Sequence, residues 1–257
     1  KIMQSLRLNF AGMTHQGRLR QTNQDSFLTN RQLNLFAVAD GVESAPYGEL
    51  ASKMAVEALE SILKDFDLSK DATPPTPDHP SVPLPVRALK YAFREVNRRL
   101  YQYAQDNPKY KGMGTTLTAL WIYENRAYFG HIGDSRGYLI RKGIAQQLTQ
   151  DHTSIADSSF KPAEDMELYQ GSTQSEHELT RALGINPDIQ VQLAGGAPES
   201  GDFFVLCTDG LYTQVQNWEI VNVVRENPPR LACQKLVQLA NQKGGTDNIT
   251  VVVVQIE

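Results

Sequence analysis

Leu35-Phe36-Ala37-Val38-Ala39-Asp40-Gly41 is the stretch on which the reading of this chain turns. Its five apolar residues suit a short central strand rather than a helix. The run then stops at an aspartate followed by glycine. The same pattern recurs where Phe203-Phe204-Val205-Leu206-Cys207-Thr208 leads into Asp209-Gly210, and where Phe129-Gly130-His131-Ile132-Gly133 leads into Asp134. In Gly244-Gly245-Thr246-Asp247-Asn248 the order is reversed, and the aspartate precedes the terminal apolar run. Asp25, in Asn23-Gln24-Asp25, precedes a short apolar step.

A single Asp-Gly is ordinary turn chemistry. Repetition at the ends of central strands weakens that account. Strand ends gathered at one sheet edge bring carboxylates together, where like charges repel and raise one another's pKa. A divalent cation relieves the repulsion. Oxygen-only ligation, with no clustered His or Cys, points to the hard ions Mg²⁺ or Mn²⁺. On spacing alone, an acidic metal site and plain turn chemistry stand level.

Outward from these motifs, apolar runs predict strands over Leu33 to Ala39, Thr115 to Tyr123, Ala127 to Ile132, Tyr138 to Arg141, Phe203 to Cys207 and Ile249 to Ile256. Helical spacing appears at Leu50, Met54, Ala58, Ile62 and at Leu89, Phe93, Val96, Leu100, Tyr103. Both are amphipathic and need a covering partner. Further helices are predicted over Trp218 to Arg225 and Arg230 to Ala240, divided by Pro228-Pro229, because proline suits a helix start and breaks an interior. Strands and helices alternate irregularly, which favours an α+β layered sandwich over a doubly wound sheet. A single domain, 1–257, is expected. It carries a proline-rich exposed loop at 71–85 and a polar, flap-like segment at about 153–178.

The composition bounds the function. With 25 basic and 29 acidic side chains and a net charge of -4, the chain is a poor candidate for nucleic-acid binding. The densest basic stretch, Arg94, Arg98 and Arg99, reads as a solvated helix face. The two cysteines form no CxxC pair, and Cys207 lies in an apolar run as a buried thiol. A reducing compartment is expected, hence a cytoplasmic protein. No apolar run reaches membrane-span length, and Lys1-Ile2-Met3-Gln4 carries no secretory signal pattern. The chain lacks a Walker loop, HExxH and GxSxG. The five histidines are scattered and read as surface or packing residues.

Taken in order, the motifs resemble those of the PPM family, the type 2C metal-dependent serine/threonine protein phosphatases of the bacterial kind. Arg20-Gln21-Thr22-Asn23-Gln24-Asp25 looks like RxxN[EQ]D, and Ala39-Asp40-Gly41 like ADG. Gly112-Met113-Gly114-Thr115-Thr116 is similar to GxGTT, Gly133-Asp134-Ser135-Arg136 to GDSR, and Leu148-Thr149-Gln150-Asp151-His152 to LTxDH. Leu179-Thr180-Arg181-Ala182-Leu183-Gly184, Leu206-Cys207-Thr208-Asp209-Gly210-Leu211 and Gly245-Thr246-Asp247-Asn248 complete the series.

The resemblance implies a central β-sandwich of two sheets flanked by helix pairs, in α-β-β-α layers. It implies two core Mg²⁺ or Mn²⁺ ions, held by Asp40, Asp209, Asp247 and the Gly41 carbonyl, with Asp25 beside them. Asp134, with Asp209, would hold a third, weaker ion. Arg20 would bind the substrate phosphate, which suits a planar cationic fork. Arg20, Asp40 and Asp209 are therefore the expected catalytic residues. Phosphorylated proteins are the implied substrates and a cognate serine/threonine kinase the implied counterpart, with the domain acting as a monomer away from nucleic acid and membrane.

The chain departs from the family in two places. Val42-Glu43-Ser44-Ala45-Pro46 contains no histidine where the family places its leaving-group acid, and the segment between His152 and Leu179 lacks the usual acidic-then-HP pattern. The rival reading is a phosphatase-like binding or regulatory module with little activity. A metal-dependent nuclease fits the acidic residues but not the charge balance or the Arg20 motif.

Overall fold

The computed structural model describes residues 6–42, 45, 47–66, 68, 82–152, 166–169 and 182–257. Glu43, residues 71–81 of the expected proline-rich loop, and most of the expected flap lie outside them. In chain order the strands are β1 (Leu8–His15), β2 (Asp25–Asn30), β3 (Leu35–Asp40), β4 (Leu117–Tyr123), β5 (Arg126–Ile132), β6 (Arg136–Arg141), β7 (Ile144–Gln147), β8 (Met166–Leu168), β9 (Gln192–Gly196), β10 (Phe203–Cys207) and β11 (Ile249–Ile256). The helices are α1 (Gly48–Asp65), α2 (Leu84–Asp106), α3 (Asp209–Tyr212), α4 (Asn217–Glu226) and α5 (Pro229–Gln242).

Two antiparallel sheets result, ordered β1-β11-β10-β6-β7 and β2-β3-β4-β5-β9-β8. Strand alternation explains the layers. On β3, Leu35, Ala37 and Ala39 pack among residues of α1 and α2, while Phe36 and Val38 face the other sheet. On β11, Ile249, Val251 and Val253 pack with α4 and α5, while Val252, Val254 and Ile256 point between the sheets. Both faces of these strands are covered, so their sequences are unbroken apolar runs instead of alternating ones. The layers are therefore α-β-β-α.

The helices follow from their spacing. On α1, Ala51, Ala55, Leu59 and Ile62 form one buried stripe, and the helix ends where Phe66 turns extended. Pro85 sits in the first turn of α2 and Pro229 in the first turn of α5, where a missing N–H costs nothing. Pro85 therefore belongs to a helix start and not to the proline-rich loop expected at 71–85. Within the expected flap, Met166–Leu168 is an edge strand paired with β9. The Arg98 and Arg99 side chains reach Glu95 across the outer face of α2.

Candidate metal centre

Register sets the first two carboxylates. Asp25 opens β2, Asp40 closes β3, and the two residues face each other in the ladder. Asp209 follows β10 directly and starts α3, while Asp247 stands just ahead of β11, the neighbour of β10. Asp134 lies in the tight connection from β5 to β6. One end of the sandwich thus collects Asp25, Asp40, Asp134, Asp209 and Asp247.

Their electrostatics record the crowding. Burial raises the Asp25 carboxyl to about 7, with the Asp209 charge adding to it and hydrogen bonding with Thr250, Thr208 and Asp40 opposing it. Asp40 is pushed well above the ordinary carboxylate range, first by burial and then by the charges of Asp25, Asp209, Asp134 and Asp247. Burial, followed by Asp247 and Asp134, raises Asp209 to about 6. Two buried oxygens, Asp25 Oδ1 and Asp209 Oδ1, have no hydrogen-bond partner. Orphaned, mutually repelling carboxylate oxygens with an all-oxygen donor set fit a hard divalent cation. Among the described residues no three Asp, Glu, His or Cys side chains already close on one point as a finished cage. Asp247 Oδ2 is turned onto Arg20 Nη2 at 2.7 Å, and Asp25 Oδ2 accepts from Thr208 Oγ1 at 2.8 Å.

The motif glycines have a cause other than turn geometry. Neither Gly41 nor Gly210 has a positive φ. A Cβ on Gly41 would lie 2.4 Å from the backbone carbon of Gly48 at the start of α1, and one on Gly210 would lie 1.9 Å from the Asn248 carbonyl oxygen. Each aspartate is followed by glycine because another backbone passes against the site at that point. The hairpin-turn account of these two Asp-Gly pairs is thereby excluded.

Further side chains position the carboxylates. Thr116 N and Thr115 Oγ1 both donate to the Asp40 carbonyl, at 2.8 and 2.9 Å, and Asp40 N donates to Thr116 Oγ1 at 2.9 Å. Thr116 Oγ1 also meets Ser135 Oγ at 2.8 Å, joining the loop that carries Asp134. Buried Asn248 donates to the Gln16 and Thr22 carbonyls and accepts from Gln24 N, each at 2.8 Å. It ties the Arg20–Asp25 loop to the start of β11. Arg136 grips Asp151 with Nε and Nη2, stacks 3.7 Å from the Tyr212 ring, and leaves the Tyr212 hydroxyl to donate to the Asp134 carbonyl at 2.9 Å. The threonines, Asn248 and Arg136 were visible as motif letters, but their role beneath the aspartates was not. Tyr212 carried no sequence signal.

The histidines are less scattered than the sequence suggests. His131 and His152 pack with ring centroids 4.8 Å apart. Buried His131 is bonded to Thr118 Oγ1 and the Gln150 carbonyl, and burial drives its pKa well below the usual value. Val42, at the position following Asp40-Gly41, donates its N–H to the Gly114 carbonyl at 2.9 Å. Neither it nor Ala45 bears an ionisable group.

The sequence profile of the protein phosphatase 2C family matches residues 12–242. The chain belongs to that family. It is 32% identical over 256 residues to the serine/threonine protein phosphatase PstP of Mycobacterium tuberculosis, covering 98% of this chain but only 46% of PstP. It is also 32% identical to the protein phosphatase PhpP of Streptococcus pneumoniae, covering 95% of this chain and 96% of PhpP. Among solved structures, the PstP catalytic domain in complex with two manganese ions superposes with a TM-score of 0.76 at 30% identity, over 98% of this chain and 99% of that one. The family's α-β-β-α fold is therefore the fold of this chain.

Proposed function

We propose that this protein hydrolyses phosphoserine and phosphothreonine in proteins by a metal-dependent route at the carboxylate edge. The observation that carries the reading is the pair of orphaned, buried oxygens on Asp25 and Asp209 within five crowded aspartates, beside the Arg20 guanidinium. Asp40, Asp209, Asp247 and the Gly41 carbonyl would hold two core Mg²⁺ or Mn²⁺ ions, with Asp25 alongside and Asp134 toward a third. Bound there, such ions supply Lewis acidity and a nucleophilic water for in-line displacement at phosphorus. Arg20, released from Asp247 once that carboxylate turns to a cation, would orient the phosphate. Thr115, Thr116 and Asn248 keep the aspartate backbones fixed. The manganese-bound catalytic domain of PstP and the protein phosphatase PhpP support the reading.

The test is phosphate release from phosphoserine and phosphothreonine peptides with Mn²⁺, and again after chelation. The expected result is turnover that chelation abolishes and Mn²⁺ restores. Chelator-resistant turnover would reject it. The same reading places the protein in the cytoplasm as a monomeric domain opposing a serine/threonine kinase. Cys207 and Cys233, both free and buried, suit such a reducing compartment. No described helix is long and apolar enough to cross a membrane.

One observation favours a weaker catalyst. Val42 and Ala45 cannot protonate a leaving alkoxide, which leaves Glu43 or a metal-bound water for that step, and positioned general acids contribute roughly 10²–10⁴-fold, chiefly with poor leaving groups. Rates should therefore depend steeply on leaving-group pKa, with p-nitrophenyl phosphate cleaved much faster than phosphoserine peptides. A flat dependence would show that leaving-group protonation does not limit the reaction.

A further inference from the structure

Beside the aspartates lies a surface that the phosphate chemistry does not use. Tyr47 immediately precedes α1, one residue from the Gly48 backbone that packs on Gly41. Its φ is 60°, a left-handed conformation that is an outlier for a bulky side chain and persists only where surroundings enforce it. The ring stands edge-on to Tyr110, with centroids 4.7 Å apart. Lys109, in the short 3-10 turn Pro108–Tyr110, places its ammonium 5.3 Å from the Tyr47 ring centre and 5.1 Å from that of Tyr110. Among the described residues no salt bridge forms at Lys109, whose ammonium lies against the two rings. Ile185 covers Gly114, whose carbonyl accepts the Val42 N–H. Tyr47 and Ile185 are both 42% exposed. Tyr47, Tyr110 and Lys109 make an aromatic shelf edged by positive charge, and exposed Ile185 is tied to the same edge through Gly114 and Val42, next to a centre dense in carboxylates.

We propose that this shelf is a specificity-determining site for the polypeptide on one side of the phosphoresidue. It takes an apolar side chain on Tyr47 and Ile185 and an acidic side chain at Lys109. Charge complementarity selects this occupant. Among the described residues Lys109 forms no ion pair, it sets a positive charge beside an acidic edge, and a substrate with a flanking carboxylate can satisfy it while its phosphate is drawn to Arg20. The proposal rests on the phosphatase reading above and names the substrate class for that site.

The test separates the two. Fluorescence anisotropy of labelled phosphothreonine peptides, one with glutamate flanks and one with lysine flanks, is measured on the chelated protein, where turnover plays no part. Wild type should bind the acidic peptide at least 5-fold more tightly. Lys109→Glu should erase or invert that preference. Tyr47→Gly, which keeps the left-handed turn but removes the ring, should weaken both peptides by about 5-fold. Equal affinities for the two peptides in wild type, or a preference untouched by Lys109→Glu, would overturn the shelf. So would an oligomer of the free protein that Tyr47→Gly dissolves, because the surface would then be covered by a second copy. Mn²⁺-dependent cleavage of p-nitrophenyl phosphate, measured separately, bears on the phosphatase reading alone.

Discussion

Asp40 is the residue at which cost and function meet most directly. Its carboxyl stands partly buried among four others, so at neutral pH the metal-free fold must hold a proton there or bear a repulsion, and the unfolded chain does neither. Asp40→Asn should remove that repulsion and raise the melting temperature of the chelated protein by several degrees, given ~2–4 °C per kcal/mol for a chain of this size. The same variant should lose more than ~10²-fold in Mn²⁺-dependent kcat. An unchanged melting temperature would mean the carboxylates are not in conflict. Arg20 makes a separate prediction. Arg20→Ala should lower kcat/KM and weaken inhibition by product phosphate about 10-fold, the scale of a lost charged hydrogen bond. Unchanged phosphate inhibition would leave Arg20 as the structural partner of Asp247 seen here.

Among the elements, α3 and β11 cross at Gly210, where a methyl group would strike the Asn248 carbonyl. Gly210→Ala should cost roughly 3 kcal/mol or more in chemical denaturation, and should weaken Mn²⁺ binding because Asp209 and Asp247 are displaced together. A loss below ~1 kcal/mol would show that the crossing relaxes freely. The elements also show why some of the fold was legible and some was not. β3, β10 and β11 were readable because both of their faces are buried and their sequences are unbroken apolar runs. β1 escaped because Leu8–His15 is mostly half-buried and holds Asn9, Gly12 and Thr14. Gln192–Gly196 ends in two glycines, and Met166–Leu168 is three residues in a polar stretch. The aspartates were legible because each interrupts or borders an apolar run. Thr208 stood among the motif letters but its role did not show, because threonine at a strand end reads as ordinary strand chemistry, although its hydroxyl serves both Asp25 and Thr250 N. The left-handed Tyr47 had no sequence signal at all.

Across the whole molecule, two buried populations respond to pH with opposite sign. His131 is held neutral, with a folded pKa well below the usual value. The unfolded chain therefore binds more protons below pH ~6.5, and this part of the stability is present above that pH and lost as pH falls. Asp25 and Asp209, raised to about 7 and 6, act in reverse. In the metal-free protein their share is present at low pH and lost as pH rises through those values. In chelator, wild type should lose up to ~1.4 kcal/mol per pH unit more than His131→Asn between pH 6.5 and 5. Parallel stability curves would mean that His131 is protonated in the folded state.

The sandwich exists, on this account, to bring five strand ends to one edge where divalent cations settle their charges. Calorimetric titration of Mn²⁺ into wild type and Asp209→Asn tests that claim most directly, with folding of both checked by circular dichroism. Two tight ions are expected in wild type, with loss of tight binding in a folded Asp209→Asn. Identical binding isotherms for the two proteins would contradict it.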